Sequence, residues 1–197
     1  MVNYVVEFEN KIAEFYNAPY AVAVDCCTHG LEIAIRLNNP DYLSCTKYTY
    51  ISVPMTFIKL GIAWSFNEDL WADYYYITPN IIDAAVLWRK NSYIPNTFMV
   101  ISFQHKKHLK LGRGGMILCS TKEQYNQLKA LSYDGRHPGP PWMEQDIYNI
   151  GYHYYLTPEI ASLGLEKLEE AISRQAKKWS WQDYPNISKM KVFNDYL

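Results

Sequence analysis

The sequence lacks an excess of charge of either sign. It carries 19 lysines and arginines against 20 aspartates and glutamates, which gives a formal net charge of −1. Its basic residues form no run longer than pairs such as Lys106-Lys107 and Lys177-Lys178. Proteins that bind nucleic acid present a basic patch or stripe. This distribution therefore speaks against nucleic acid as a partner.

Cysteine is scarce and is poorly spaced for a structural role. The four cysteines are Cys26, Cys27, Cys45 and Cys119. Adjacent cysteines do not readily bridge each other and no Cys-x-x-Cys pair occurs, so neither a disulfide framework nor a structural zinc site is expected. We expect no metal site and a reducing compartment.

Long apolar segments are missing as well. The most apolar stretch, residues 48–66, is interrupted by Pro54, Lys59 and Gly61, which suits buried strands and a turn better than a membrane span. The first residues show neither the basic nor the apolar region of a signal peptide. We therefore expect no membrane partner and a cytoplasmic location.

The remaining composition is that of a globular domain. With 49% hydrophobic and 20% charged residues, 197 residues can bury a single core. Apolar periodicity predicts helices over residues 2–16, from 28 to about 37, from 120 to about 132 and from 158 to about 178. Strands are predicted at residues 20–24, 48–53, 61–66, 98–101 and 116–119. This alternation predicts a layered α/β domain with a largely parallel sheet.

Two polar side chains follow predicted strands, where open α/β sheets place their ligand sites. Thr28 begins a helix, and its hydroxyl and the free N–H groups of the first turn can bind a phosphate; the alternative is that Thr28 only caps the helix. Asp83 follows Ile81-Ile82, where a buried carboxylate needs a cationic partner such as a protonated pyridine nitrogen. The alternative for Asp83 is again a helix cap.

A serine and a lysine stand close together after the strand at residues 98–101. Ser102 ends that strand and Lys107 lies five residues on, so the serine can bind a phosphate while the lysine reaches the far end of the same small ring. A Schiff-base lysine needs a lowered pKa, which burial and neighbouring cationic groups provide. The alternative is a solvated basic loop.

Taken in order, these segments resemble the signature blocks of the DegT-type sugar aminotransferases, over about residues 5 to 175. Residues 21–31 match the family's phosphate loop, and residues 49–52 match the block with the stacking aromatic. The aspartate block is matched by residues 82–85, the lysine and its glycines by residues 102–115, and the dimer-contact segment by residues 150–157. The resemblance implies a reduced three-layer α/β/α sandwich, with a pyridoxal-phosphate (PLP) major domain over residues 1–178. Residues 179–197 would be a short tail in place of the family's small domain.

The resemblance also implies PLP as cofactor and a role for each matched residue. Lys107 would form the Schiff base, Asp83 would pair with the pyridine nitrogen and Tyr50 would stack on the ring. His153 stands where the family has an asparagine that reaches across a dimer to the neighbouring cofactor. The implied cofactor-binding residues are Cys27, Thr28, Tyr50, Asp83, Ser102 and His153.

The implied reaction moves an amino group from a donor, expected to be glutamate, to a nucleotide-linked keto-sugar, in a homodimer. Arg113 or Arg136 would bind a carboxylate or a phosphate. The chain departs from the family in its length, which is about half the usual one, and in residues 66–81, which are too few for the usual strand and helix. Two departures, the almost absent small domain and Val86 in place of a polar residue, favour an alternative: a non-catalytic reduced paralogue that binds PLP or a sugar nucleotide or serves as a partner subunit. A related PLP dehydratase, which carries histidine at the lysine position, is disfavoured by Lys107.

Overall fold

The computed structural model describes residues 3–196, so the first residue of the predicted helix 2–16 and the last residue of the tail 179–197 lie outside the described residues. The helices are α1 (Tyr4–Tyr16), α2 (Cys27–Asn38), α3 (Ser52–Leu60), α4 (Lys122–Ser132) and α5 (Pro158–Ser173). The strands are β1 (Tyr20–Val24), β2 (Tyr42–Thr46), β3 (Ala63–Asn67), β4 (Tyr75–Thr78), β5 (Ile81–Asp83), β6 (Phe98–Ser102) and β7 (Gly115–Cys119). None of the helices in this range is long and apolar enough to cross a membrane.

A five-stranded sheet in the order β1-β7-β6-β5-β4 forms the centre, and β2 and β3 pair separately as a parallel ribbon. Strands β1, β6 and β5 run in one direction, while β7 and β4 run antiparallel to their neighbours. The predicted α/β fold is confirmed, with a sheet that is mixed rather than largely parallel. Parallel neighbours need a crossover connection, and two of the strand pairs lack one. Only two residues join β4 to β5, and a loop without a helix joins β6 to β7, so both pairs are antiparallel.

Helices cover both faces of this sheet and complete three layers. On β1, Ala21 and Ala23 pack into a core with α1 and α5, whereas Val22 and Val24 pack into a second core with α2, α3 and α4. The near-continuous apolar run of β1 is therefore explained by burial on both faces.

The strand predicted at residues 48–53 is wrong. Strand β2 ends at Thr46, and α3 begins at Ser52. The Thr46 hydroxyl accepts a hydrogen bond from the Tyr48 N–H at 3.2 Å, and the Tyr48 carbonyl accepts one from the Trp71 indole at 2.7 Å, so the ladder is replaced by side-chain bonds. Pro54 fits the first turn of α3, where its missing N–H has no helical partner.

Helix α5 is shorter than predicted. It ends at Ser173, and Arg174 is already extended, whereas the periodicity continues to about residue 178. The chain that follows turns back onto the domain, forms 3₁₀ turns and buries Ile187 and Phe193.

The segment between β3 and β5 contains a strand but no helix. The sequence has too few residues for both, and β4 forms a hairpin with β5 instead. The hairpin register sets Tyr75 opposite Asp83. This pairing brings a tyrosine to the predicted aspartate.

Candidate active site

A cavity of about 980 Å³ opens at the carboxyl ends of β1, β5 and β6. Its lining includes most of the site residues predicted from the sequence. They are Cys27, Thr28, Tyr50, Asp83, Ser102 and Lys107. Residues from four separate parts of the chain are thus brought to one place, as expected at the strand ends of an open α/β sheet.

The first turn of α2 forms one side of the cavity. Cys26, rather than Thr28, is the N-cap, and its sulfur accepts a hydrogen bond from the His29 N–H at 3.5 Å. The Thr28 hydroxyl lies 2.8 Å from the Ser52 hydroxyl at the start of α3. The interpretation of Thr28 as a helix cap is therefore wrong. Its hydroxyl and the free N–H groups of this turn are available to an anion.

A glycine lets the start of α2 approach the sheet closely. A Cβ atom on Gly115 would lie 2.7 Å from the Cys27 nitrogen, so any larger residue would push the helix away. Beside it, the Cys27 thiol lies 3.8 Å from the Val100 carbonyl. Burial and the nearby Asp83 charge raise the pKa of Cys27, which keeps it a neutral thiol.

Asp83 ends β5 on the cavity floor and has neutral partners. It accepts hydrogen bonds from the Ala85 N–H at 3.0 Å and from the Tyr75 hydroxyl at 2.5 Å, and Tyr75 in turn contacts the Thr49 hydroxyl. Burial raises the pKa of Asp83. Within residues 3–196, no lysine, arginine or histidine forms an ion pair with it. Asp83 is part of a strand and caps no helix.

Lys107 sits on a tight loop between β6 and β7. The Phe103 N–H donates to the Gly114 carbonyl at 2.9 Å and the Leu111 N–H donates to the Phe103 carbonyl at 2.9 Å, which closes the loop at its base. Burial lowers the pKa of Lys107, against the opposing effect of the Asp83 charge. Lys106, by contrast, is exposed. Lys107 is therefore not part of a solvated basic loop.

Ser102 and Tyr50 complete the predicted set inside the cavity. Ser102 is buried at the end of β6, where its hydroxyl accepts a hydrogen bond from the Gln104 N–H at 3.3 Å. Tyr50 lies just before α3 and is exposed at the cavity lining. An exposed aromatic ring at this place is free to cover one face of a planar ligand.

His153 and Arg136 lie outside the cavity lining, whereas Arg113 is part of it. His153 does not line the cavity; it is exposed, and its Nδ1 lies 2.9 Å from an Asp134 carboxylate oxygen. Arg113 lines the cavity and forms an ion pair with Asp25 at 2.7 Å. Arg136 does not line the cavity and packs over the Tyr133 ring.

Sequence reasoning missed several aromatic residues of the site. Tyr75 reaches Asp83 through the hairpin register, and Trp179 and Tyr184 enter the cavity lining from the chain after α5. The Tyr184 hydroxyl lies 3.4 Å from the Lys107 amine. The only local signal was the density of tyrosine and tryptophan, which does not identify a partner.

The sequence profile of the DegT/DnrJ/EryC1/StrS aminotransferase family matches residues 1–97 and 94–184. Among curated proteins, no sequence match was found. The fold is similar to that of AtS13 from Actinomadura melliaura, with a TM-score of 0.78 and 19% identity over 88% of this chain and 61% of that one.

Two further solved structures share the fold. The PLP form of Spr1654 from Streptococcus pneumoniae has a TM-score of 0.73 and 17% identity over 88% of this chain and 60% of that one. The sugar aminotransferase CalS13 from Micromonospora echinospora has a TM-score of 0.69 and 17% identity over 87% of this chain and 61% of that one. The chain thus spans about 60% of the length of these proteins.

Proposed function

The chain belongs to the DegT/DnrJ/EryC1/StrS aminotransferase family, and from this premise we propose that it is a PLP-dependent sugar aminotransferase. The observation that carries the proposal is the meeting of Lys107 and Asp83 in one cavity, both largely buried and both without an ion-pair partner among the described residues. An amine with a lowered pKa and an unpaired buried carboxylate are the groups that PLP chemistry requires.

The residues of the cavity suit four parts of PLP: its ring nitrogen, its phosphate, one face of its ring and its aldehyde. Asp83 has no ion-pair partner in the part of the chain that the structure describes and would pair with a protonated ring nitrogen. Thr28, with the free N–H groups of α2, and Ser102 would bind the phosphate, with Cys27 beside them. Tyr50 would cover one face of the ring, and Lys107 would hold the cofactor covalently.

When bound, PLP supplies a carbon that accepts and releases an amino group and a ring that accepts electrons. The lowered pKa of Lys107 increases the fraction of neutral amine near pH 7, which suits a nucleophile and a group that moves a proton. Asp83 would hold the proton on the ring nitrogen by electrostatic attraction. The neutral Cys27 thiol adds no competing charge.

The proposed substrates are glutamate as amino donor and a nucleotide-linked keto-sugar as acceptor. Both carry anionic groups, and Arg113 is an exposed cation on the cavity lining that can bind a carboxylate or a phosphate. Arg136 is less suited, because it lies outside the cavity lining.

The proposed assembly is a homodimer in which His153 approaches the cofactor of the second copy. Support comes from an exposed apolar segment close to His153 in the chain. It contains Trp142, Met143, Ile147, Tyr148 and Ile150. Such a cluster is more typical of an interface than of a solvent-facing loop. Sedimentation of the PLP-loaded chain is expected to give twice the mass of the monomer.

The first experiment is a visible absorption spectrum of the purified chain with added PLP, before and after borohydride, followed by mass mapping of the modified peptide. We expect a reducible adduct at Lys107 that is lost in Lys107→Ala and retained in Lys106→Ala, the matched exposed neighbour. Labelling at Lys106 or at scattered surface lysines contradicts the proposal.

The alternative function is a non-catalytic paralogue that binds PLP or a sugar nucleotide or serves as a partner subunit. The observation that favours it is the length of the chain, about 60% of its structural neighbours. Addition of glutamate to the PLP-loaded chain separates the two functions. A spectral change with release of 2-oxoglutarate supports the transaminase, whereas an unchanged adduct supports the alternative.

A further inference from the structure

We propose that Tyr184, in the chain that follows α5, is a positioning residue for Lys107. Its role in catalysis rests on the proposed aminotransferase function, but the contact itself does not. Tyr184 lies outside the five signature blocks at residues 21–31, 49–52, 82–85, 102–115 and 150–157, and the proposal is argued from the geometry of this chain.

The segment that carries Tyr184 is fixed to the domain by backbone hydrogen bonds. The Asp73 N–H donates to the Trp179 carbonyl at 2.9 Å, and the Trp181 N–H donates to the Trp71 carbonyl at 3.0 Å. Further along, the Ile187 side chain is buried in the core. These contacts hold the segment against the domain, so its aromatic residues form an ordered side of the cavity.

Tyr184 presents its hydroxyl to Lys107 from this wall. The Tyr184 oxygen lies 3.4 Å from the Lys107 Nζ, and the Tyr184 ring packs at 5.5 Å from Trp71 and 6.3 Å from Trp179. Burial, with the nearby negative charge of Asp83, raises the pKa of Tyr184, so its hydroxyl stays protonated at neutral pH. A phenol in this state accepts a hydrogen bond from an ammonium group and donates one to a neutral amine.

The residue acts on Lys107 in two opposing ways. Its ring, together with Trp179 at 5.6 Å from the Lys107 Nζ, keeps water from the amine, which favours the neutral form. Its hydroxyl bonds most strongly to the charged form, because charge-assisted hydrogen bonds are stronger than neutral ones. Removing the hydroxyl alone and removing the whole ring should therefore shift the pKa of Lys107 in opposite directions.

The test measures the pH dependence of Lys107 acetylation by acetic anhydride in the cofactor-free full chain, read peptide by peptide by mass spectrometry. In Tyr184→Phe the midpoint for Lys107 is expected to fall by roughly half a pH unit. In Tyr184→Ala water reaches the amine, and the midpoint is expected to rise by about one unit. Tyr196→Phe, an exposed tyrosine in the same tail, is the matched control and is expected to leave the midpoint unchanged.

Two results overturn the proposal. If the Tyr184→Phe midpoint equals that of the unsubstituted chain, Tyr184 only packs beside Lys107. If the midpoint rises in both variants, the Tyr184 hydroxyl does not stabilise the Lys107 ammonium group. Because no PLP is present, these outcomes are independent of the spectral test. Opposite shifts of the midpoint without a PLP adduct at Lys107 support the Tyr184 contact and contradict the proposed aminotransferase function. A PLP adduct at Lys107 without these shifts supports that function and contradicts the role of Tyr184.

Discussion

Two buried carboxylates, Glu9 on α1 and Asp83 at the end of β5, have very different surroundings. Glu9 on α1 accepts hydrogen bonds from the Ala23 N–H at 2.8 Å and from the Lys129 amine at 2.9 Å, so it is paired with a cation. Asp83 has the Tyr75 hydroxyl and the Ala85 N–H, both neutral. Burial raises the pKa of each.

The difference separates a structural carboxylate from one suited to a ligand. Removing a carboxylate from water is costly, and an internal lysine offsets that cost for Glu9. For Asp83, nothing in the described chain supplies a positive charge at ion-pair distance. A buried charge that the fold leaves uncompensated is therefore stabilised best when a cationic ligand arrives.

The largest effect is expected on the stability of the fold, when the paired carboxylate Glu9 is removed. Glu9→Ala leaves the Lys129 amine and the Ala23 N–H without their partner, and we expect a loss of about 3 kcal/mol in the free energy of unfolding. Urea denaturation measures it. The control is Glu14→Ala on the same helix, whose ion pair with Lys11 is exposed, with an expected effect below about 0.5 kcal/mol. If Glu9→Ala and Glu14→Ala lose equal stability, Glu9 is not a structural carboxylate, and the contrast between Glu9 and Asp83 does not hold.

The second largest effect is expected on the activity, when the charge of Asp83 is removed. Asp83→Asn keeps an acceptor for the Ala85 N–H but loses the charge, and we expect kcat/KM of the PLP-loaded chain to fall about 100-fold. The cofactor-free variant should gain about 1 kcal/mol of stability at pH 7, since a buried charge is removed. Asp41→Asn, at an exposed position, is the control. Retained activity, or a loss of stability, would show that Asp83 is structural like Glu9.

The smallest effect concerns the tyrosine that supports Asp83. Because the pKa of Asp83 is raised in the folded chain, its contribution to stability is full below the unfolded pKa and is lost as the pH rises through the folded pKa. Tyr75→Phe removes a donor to the carboxylate and raises this pKa further. We expect about 1 kcal/mol of additional loss at pH 7 and little at low pH, measured by urea denaturation across pH.

The control for this prediction is Tyr76→Phe, in the same strand. Tyr76 faces the opposite side of β4 and is exposed, so the loss of its hydroxyl should change stability little at any pH. A loss in Tyr75→Phe that does not depend on pH would mean that the hydroxyl supports Thr49 and the hairpin rather than the Asp83 charge.

The sequence predicted the floor of the cavity better than its walls. Asp83 and Ser102 stand immediately after apolar runs and Thr28 follows one after a short turn, and short loops between strands and helices place such residues at one sheet edge. The strand at residues 48–53 was wrongly predicted because its aromatic and β-branched residues match a strand locally, whereas the chain turns here through side-chain hydrogen bonds and enters α3 at Ser52. Tyr75 was missed because its position depends on a hairpin register.

The sequence by itself determined the elements whose signals are local: the α/β layering, the burial of β1 on both faces, and the lysine on a short loop after β6. Only the tertiary structure decided which groups meet. The Tyr75–Asp83 pair needs the β4–β5 register, and the Tyr184–Lys107 contact joins residues 77 positions apart in the chain. Contacts of that separation depend on how the tail packs against the segment around Trp71, and no local periodicity encodes such packing.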